Sequence, residues 1–202
     1  MRHHKAGVII IALFIIISLF SPVVFGQRRR TRQSREQLSF GSEIPIVHRV
    51  IIPQAVLNQL ADFEGGQLRR CQQAESSRKP NMADHFAASP MNINNDGQTD
   101  LVVQAQTLCF MGAHSTVFWI FAKFEPRLYP RYDMVFSERA DYLGIRNPSS
   151  SGYRDIETAS HTATELYTIV WKFDGQKYQR RLCSTEDLST HKVVRARCSN
   201  FQ

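Results

Sequence analysis

The sequence predicts an α+β protein: a short N-terminal helical part followed by a mainly antiparallel β-sheet. Three observations predict it. Val56, Leu57, Leu60, Ala61 and Phe63 recur at helical spacing. Thr116 to Phe124 (Thr-Val-Phe-Trp-Ile-Phe-Ala-Lys-Phe) is a long apolar run of strand-forming residues. Two strand-like runs flank Asp174-Gly175, a pair that favours a tight hairpin turn because Gly accepts positive φ.

In chain order, residues 1–26 read as an export signal. Arg2 and Lys5 give a basic start, Val8 to Phe20 is an apolar run with one Ser, and Pro22 breaks it before a cut after Gly26. The alternative is an uncleaved anchor, with residues 8–25 at the short end for a membrane span. Arg28, Arg29, Arg30, Arg32 and Arg35 follow, and positive charge directly after an apolar run resists translocation. Pro22 and the small Gly26 favour cleavage and an exported, periplasmic or secreted protein. The membrane is a partner only if residues 8–25 remain uncleaved.

Residues 27–45 read as a basic flexible linker, rich in Arg, Gln and Ser and ending at Pro45. Residues 46–202 suit a single α+β domain. The whole chain carries 25 basic and 18 acidic residues, a net charge of +7. Seven of those basic residues and one acid lie before residue 37, which leaves the remainder at +1. The basicity thus belongs to the leader and arm, and no nucleic-acid partner is expected. The arginine arm suits either a solvated linker or contact with anionic lipid or cell-surface polymer.

Within the domain, Ile46, Val47, Val50, Ile51 and Ile52 form a strand-like apolar run. Pro53 is suited to the first turn of a helix. The helical period then runs to Gly65-Gly66, where it is expected to stop, and Gln67 to Ala74 resume it. Glu75 to Pro80 is a polar loop. Phe86 and Ala88 lead into an oxygen-rich segment, and Leu101 to Cys109 predicts a strand. Thr116 to Phe124 is expected to be central, because both of its faces are apolar. Pro126 and Pro130 end it, Tyr132 to Phe136 predicts a further strand, and Asn147 to Gly152 a loop. Leu166 to Phe173 and Gln176 to Leu182 form the hairpin.

Cys71, Cys109, Cys183 and Cys198 all lie in the exported portion, and an even number there implies two disulfides. Spacing does not choose among the three pairings; Cys71–Cys109 with Cys183–Cys198 is preferred. The second bridge would close a short loop, stabilising by about 3 kcal/mol in the chain-entropy model.

The most chemically specific segment is Asn92-Ile93-Asn94-Asn95-Asp96-Gly97-Gln98-Thr99-Asp100. Oxygen-bearing side chains fall at its first, third, fifth and ninth positions, with Gly at the sixth. Asn92, Asn94, Asp96 and Asp100, with the Gln98 carbonyl, match the oxygen ligands of a Ca²⁺ loop. Only Asp96 and Asp100 are anionic, and Val103 stands where an EF-hand carries its bidentate Glu. A weak structural site is therefore expected, with a dissociation constant on the order of 10⁻⁴–10⁻³ M. The same residues also make a polar turn, with Asn and Asp bonding their own backbone.

With Leu101-Val102-Val103, this segment resembles the calcium loop and strand of FG-GAP/VCBS-type repeats, Asp-x-Asn-x-Asp-Gly-x-x-Asp-Leu, departing at Asn92. Those loops recur in β-propellers, and one copy here argues against a propeller. The chain resembles more closely small exported bacterial proteins of unassigned function with one such loop. In these a Trp-x-Phe strand, a Gly-Tyr-x-Asp-Ile segment and a Trp-x-Phe-Asp-Gly-x-x-Tyr hairpin follow. The matching residues are Trp119-Ile120-Phe121, Gly152 to Ile156 and Trp171 to Tyr178. The resemblance implies location and fold texture and carries no activity.

Catalytic signatures such as Gly-x-Ser-x-Gly and His-Glu-x-x-His do not occur. His85, His114, His161 and His191 are dispersed. Asp155 and Glu157 would share a strand face, as a solvated pair or an acid–base pair. Trp119 and Trp171 are the candidate binding-surface residues, since Trp anchors are common at interfaces. The leading expectation is an exported non-enzymatic domain with a weak structural Ca²⁺ site that contacts a protein or envelope polymer, an inhibitor of a secreted hydrolase being one version. The alternatives are an exported hydrolase with dispersed catalytic residues and a membrane-tethered structural protein.

Overall fold

Two antiparallel sheets and two short helices build the fold, in a computed structural model that describes residues 36–75, 81–124 and 130–200. The segment expected to be an export signal (residues 1–26), residues 27–35 of the expected linker, residues 76–80 of the polar loop and Pro126 lie outside the described residues. The protein is mostly antiparallel β structure, and its first strand precedes the helices.

The elements are β1 (Ser39–Gly41), α1 (Gln54–Phe63), α2 (Gly65–Glu75), β2 (Phe86–Met91), β3 (Asp100–Ala105), β4 (Thr116–Phe124) and β5 (Arg131–Ala140), followed by β6 (Tyr142–Ser150), β7 (Tyr153–His161), β8 (Glu165–Phe173), β9 (Tyr178–Asp187) and β10 (Val193–Ala196). One sheet has four strands in the order β2-β3-β4-β5; the other has six, β1-β6-β7-β8-β9-β10.

Period-2 alternation divides the four-stranded sheet between two cores. Val102, Phe118, Ile120 and Ala122 face the six-stranded sheet, where Leu143, Ile145, Ile156, Trp171 and Phe173 meet them. Leu101, Val103, Val117, Trp119 and Phe121 face the helices, where Val56, Leu57, Leu60 and Leu68 cover them. β4 is an inner strand with Phe118 to Ala122 fully buried, as its two apolar faces predict. The six-stranded sheet buries one face and leaves the other to solvent.

Several expectations are corrected. The run from Ile46 to Ile52 makes no strand. It bends at Val47 and His48 and meets β2 at a single bridge, the Val50 N–H to the Ala88 carbonyl at 3.0 Å, and Ile51 is 95% exposed. Gly65 and Gly66 do not end the helical region; α2 begins at Gly65, after a break at Glu64 alone. The linker does not extend to Pro45, because Phe40 on β1 is fully buried and pairs with Leu143.

The predicted loop at 147–152 is a strand end and a hairpin turn. Arg146 pairs with Asp155 and Ser149 with Arg154, so Asn147 and Pro148 form a bulge in β6. A bulge admits Pro because no ladder donor is needed there. Ser151 and Gly152 carry φ of 51° and 81°, the double positive φ that a two-residue hairpin turn takes. The Asp174-Gly175 hairpin forms as expected, with Asp174 Oδ1 accepting the N–H groups of Gln176 and Lys177 at 2.9 Å each.

Both preferred disulfides are present. Cys71–Cys109 ties α2 to the short turn after β3, and Cys183–Cys198 ties β9 to the turn after β10. Two bridges fit an oxidising, exported environment. Among the described residues, no helix is long and apolar enough to cross a membrane.

Candidate functional site

The oxygen-rich segment is the connection from β2 to β3, and its side chains organise its own backbone. Asn94 Oδ1 accepts the Asp96 N–H at 3.2 Å, and Asp96 Oδ1 accepts the Gln98 N–H at 2.7 Å. Asp96 Oδ2 accepts from Asn94 Nδ2 at 2.8 Å. Gly97 has φ +83° with open space where a Cβ would stand. Asp100 is buried, with one oxygen accepting the Ile93 N–H and the other the Lys123 N–H, each at 2.7 Å. It thereby pins the loop to the end of β4.

Glu36, which sequence reasoning placed in a linker, completes this corner. Its carboxylate accepts the Asn92 N–H at 3.1 Å and pairs with the nearly buried Arg154 at 2.8 Å. The Arg154 N–H in turn bonds the Ile93 carbonyl at 2.8 Å. Burial pushes the Asp100 carboxyl up to about 6; the Lys123 and Ile93 N–H groups oppose this, and the Asp96 and Glu36 carboxylates add to it. Asn92 Oδ1 is buried without a hydrogen-bond partner. The donor set is all oxygen with two carboxylates, Asp96 and Asp100; Glu36 adds a third within electrostatic reach, and one buried carbonyl oxygen is unsatisfied. Oxygen donors are the type a hard cation takes, but here the Asp96 and Asp100 oxygens bond donors of the loop and of β4, and among the described residues no three His, Cys, Asp or Glu side chains are gathered at a common point.

The second candidate is the solvent face of the six-stranded sheet. An open groove of about 450 Å³ there is lined by Arg146, Glu157, Val170, Arg181, Leu182 and Arg195, among others. A bulge builds it. Val170 pairs with Leu182 and Trp171 with Arg180, so Arg181 is the extra residue. Arg181 and Leu182 are both exposed, Leu182 by 55%. Arg146 pairs with Glu157. Arg181 and Arg195 form no ion pair among the described residues.

The tryptophans do not form a surface. Trp119 is fully buried, its ring packed edge-on against Phe86 and Phe110. Trp171 is 7% exposed, with Nε1 donating to Thr158 Oγ1 at 2.9 Å and the Arg180 guanidinium 5.0 Å from its ring centre. Their alternation places both on core-facing positions, which sequence alone leaves open. Asp155 and Glu157 take separate partners: Ser150 and Lys172 hold Asp155, and Arg146 holds Glu157.

Two of the dispersed histidines do meet. The rings of His114 and His161 lie 5.2 Å apart, centre to centre, at one end of the sandwich. His161 Nδ1 is 2.5 Å from Asp141 Oδ2, and Glu43 lies 3.8 Å from His114. Their positions span Glu43 to His161 in sequence, so no local motif announces them. His85 is buried in the helical turn that leads into β2, and His191 is exposed beside Glu186. No protein family matches the chain, and neither does a curated protein sequence or a solved structure.

Proposed function

We propose that this is an exported, non-enzymatic binding domain that contacts a protein or an envelope polymer through the solvent face of its six-stranded sheet. The carrying observation is the bulge that turns Arg181 and Leu182 outward together beside Arg195. Guanidinium groups recognise carboxylate or phosphate by paired hydrogen bonds, and adjacent apolar area adds desolvation energy. An acidic, partly apolar ligand suits that surface. An acidic segment of a secreted hydrolase, held by an inhibitor, is one concrete version.

The Asn92–Asp100 loop is read as a weak structural Ca²⁺ site of the FG-GAP/VCBS type. Asn92, Asn94, Asp96, Gln98 and Asp100 are its ligands in this reading, and an ion would pin the entry to β3. The unsatisfied Asn92 oxygen and the clustered carboxylates support it.

The binding reading is tested by retention on an anionic polymer at rising salt. Arg181→Glu with Arg195→Glu should elute at lower salt than wild type. A second variant, with the five arginines of residues 28–35 changed to Gln, separates the arm's contribution. If only the arm variant loses retention, the sheet face is not the contact surface.

A further inference from the structure

We infer that His114 and His161 form a binding site for a borderline divalent metal ion, Zn²⁺ being the reference case, that clamps the two sheets together at one end. Four segments converge there. His161 ends β7 in the six-stranded sheet. His114 lies in the turn before β4 of the four-stranded sheet. Asp141 joins β5 to β6, and Ser42-Glu43 follows β1.

The arrangement around His161 fixes its tautomer. Asp141 Oδ2 accepts the His161 backbone N–H at 2.8 Å and the ring Nδ1–H at 2.5 Å. With Nδ1 carrying the proton, Nε2 presents its lone pair. It makes no hydrogen bond among the described residues. A carboxylate behind an imidazole whose other nitrogen is free is the outer shell that metal-ligating histidines use, and it raises ligand basicity.

His114 is placed by its backbone. Its carbonyl accepts from Ser42 Oγ at 2.5 Å, and the Gly112 N–H closes the turn on the Ser115 carbonyl at 2.7 Å. The two ring centres then lie 5.2 Å apart with a 38° tilt. Two imidazoles on one tetrahedral ion, at metal–nitrogen distances of about 2.0–2.1 Å, have ring centres roughly 5 Å apart. The 5.2 Å between the ring centres matches that spacing. Both side chains are open to solvent, 60% for His114 and 43% for His161, so an ion can reach them.

The pair is not a closed cage. Among the described residues, no three His, Cys, Asp or Glu side chains surround a common point. The exposed Glu43, 3.8 Å from His114 Nδ1, is the nearby carboxylate that can swing in, with water completing the shell. Imidazole nitrogen with one carboxylate selects Zn²⁺, Cu²⁺ or Ni²⁺ over Ca²⁺. This site is therefore chemically separate from the all-oxygen loop.

The test is a Zn²⁺ titration of the disulfide-intact protein, followed by the imidazole NMR signals of each histidine. His114 and His161 should shift together at one Zn²⁺ concentration, while His48 and His191 stay in place. Asp141→Asn should raise that concentration by about 10- to 100-fold without unfolding the protein. His161→Gln should abolish the His114 response, and the exposed position makes that variant fold normally. The inference is overturned if His114 and His161 do not move at millimolar Zn²⁺. It is equally overturned if they move only in step with every other histidine, or if His114 responds unchanged in His161→Gln.

Discussion

The two sheets share one interior and differ in what lies behind them. The four-stranded sheet is covered on both faces, by the helices and by the other sheet, and β4 buries every residue from Phe118 to Ala122. The six-stranded sheet has only one covered face. Its strand β8 is half-buried from Glu165 to Val170, and its outward positions carry Thr168, Val170, Arg181, Leu182 and Arg195. The difference separates scaffold from surface. Side chains of the inner sheet are fixed by packing, while the outer face is free to be specified by a ligand.

The largest test of that contrast is Trp119→Ala, which empties the helix-side core between Phe86 and Phe110. It should cost about 3–5 kcal/mol, measured by denaturant unfolding. Losing no more stability than an outer-face substitution would end the contrast. Next come the disulfides, which fasten the two regions separately. In the chain-entropy model, removing Cys71–Cys109 with its separation of 38 residues costs about 4 kcal/mol, and Cys183–Cys198 with 15 about 3 kcal/mol. Unfolding of the two double Cys→Ala variants measures both. Equal midpoints would show that loop length does not govern the order.

The same contrast explains what the sequence made legible. β4 was readable because both faces are apolar, and the Asp174-Gly175 hairpin because turn chemistry is local. The β6–β7 hairpin was not. Its bulge at Asn147-Pro148 and its Ser151-Gly152 turn share the composition of a loop, and outward positions such as Arg146 and Glu157 dilute the apolar signal. The run at 46–52 misled in the opposite direction: β-branched residues were present, but no strand pairs along them. At the candidate sites, the oxygen-rich loop was visible because its residues are contiguous. Glu36 was missed because its partners, the Asn92 N–H and the Arg154 guanidinium, lie 56 and 118 residues away in sequence. The histidine pair and the Arg181 bulge exist only through tertiary register.

A smaller effect is expected at the loop that feeds the inner sheet. If its dissociation constant is on the order of 10⁻⁴–10⁻³ M, 10 mM Ca²⁺ should stabilise the protein by about 1.4–2.7 kcal/mol, and EDTA should remove that gain. Asp96→Ala should abolish the Ca²⁺ dependence. The pH dependence has a defined sign. Burial raises the folded-state Asp100 carboxyl to about 6, above its ordinary value, so the folded state holds the proton more tightly. Its contribution to stability therefore falls as pH rises from about 4 to about 6 and is flat above. A bound cation favours the ionised form, so the melting shift with Ca²⁺ should be full above pH 6 and shrink below it. A shift independent of pH, or none at millimolar Ca²⁺ for either protein, leaves the loop as a polar turn.

The smallest stability effect belongs to the outer face, and there the smallness is the prediction. Leu182→Ser removes a side chain that is 55% exposed and lies outside both cores, so unfolding should change by no more than about 0.5 kcal/mol. Arg181 forms no ion pair among the described residues, and Arg181→Glu should be equally mild. Retention on an anionic polymer should nevertheless fall for both variants, more for the charge reversal than for the loss of apolar area. A residue kept for packing would lose stability first and binding only as a consequence. One that serves as contact surface loses binding with the fold intact, and the unfolding and retention measurements together distinguish these cases.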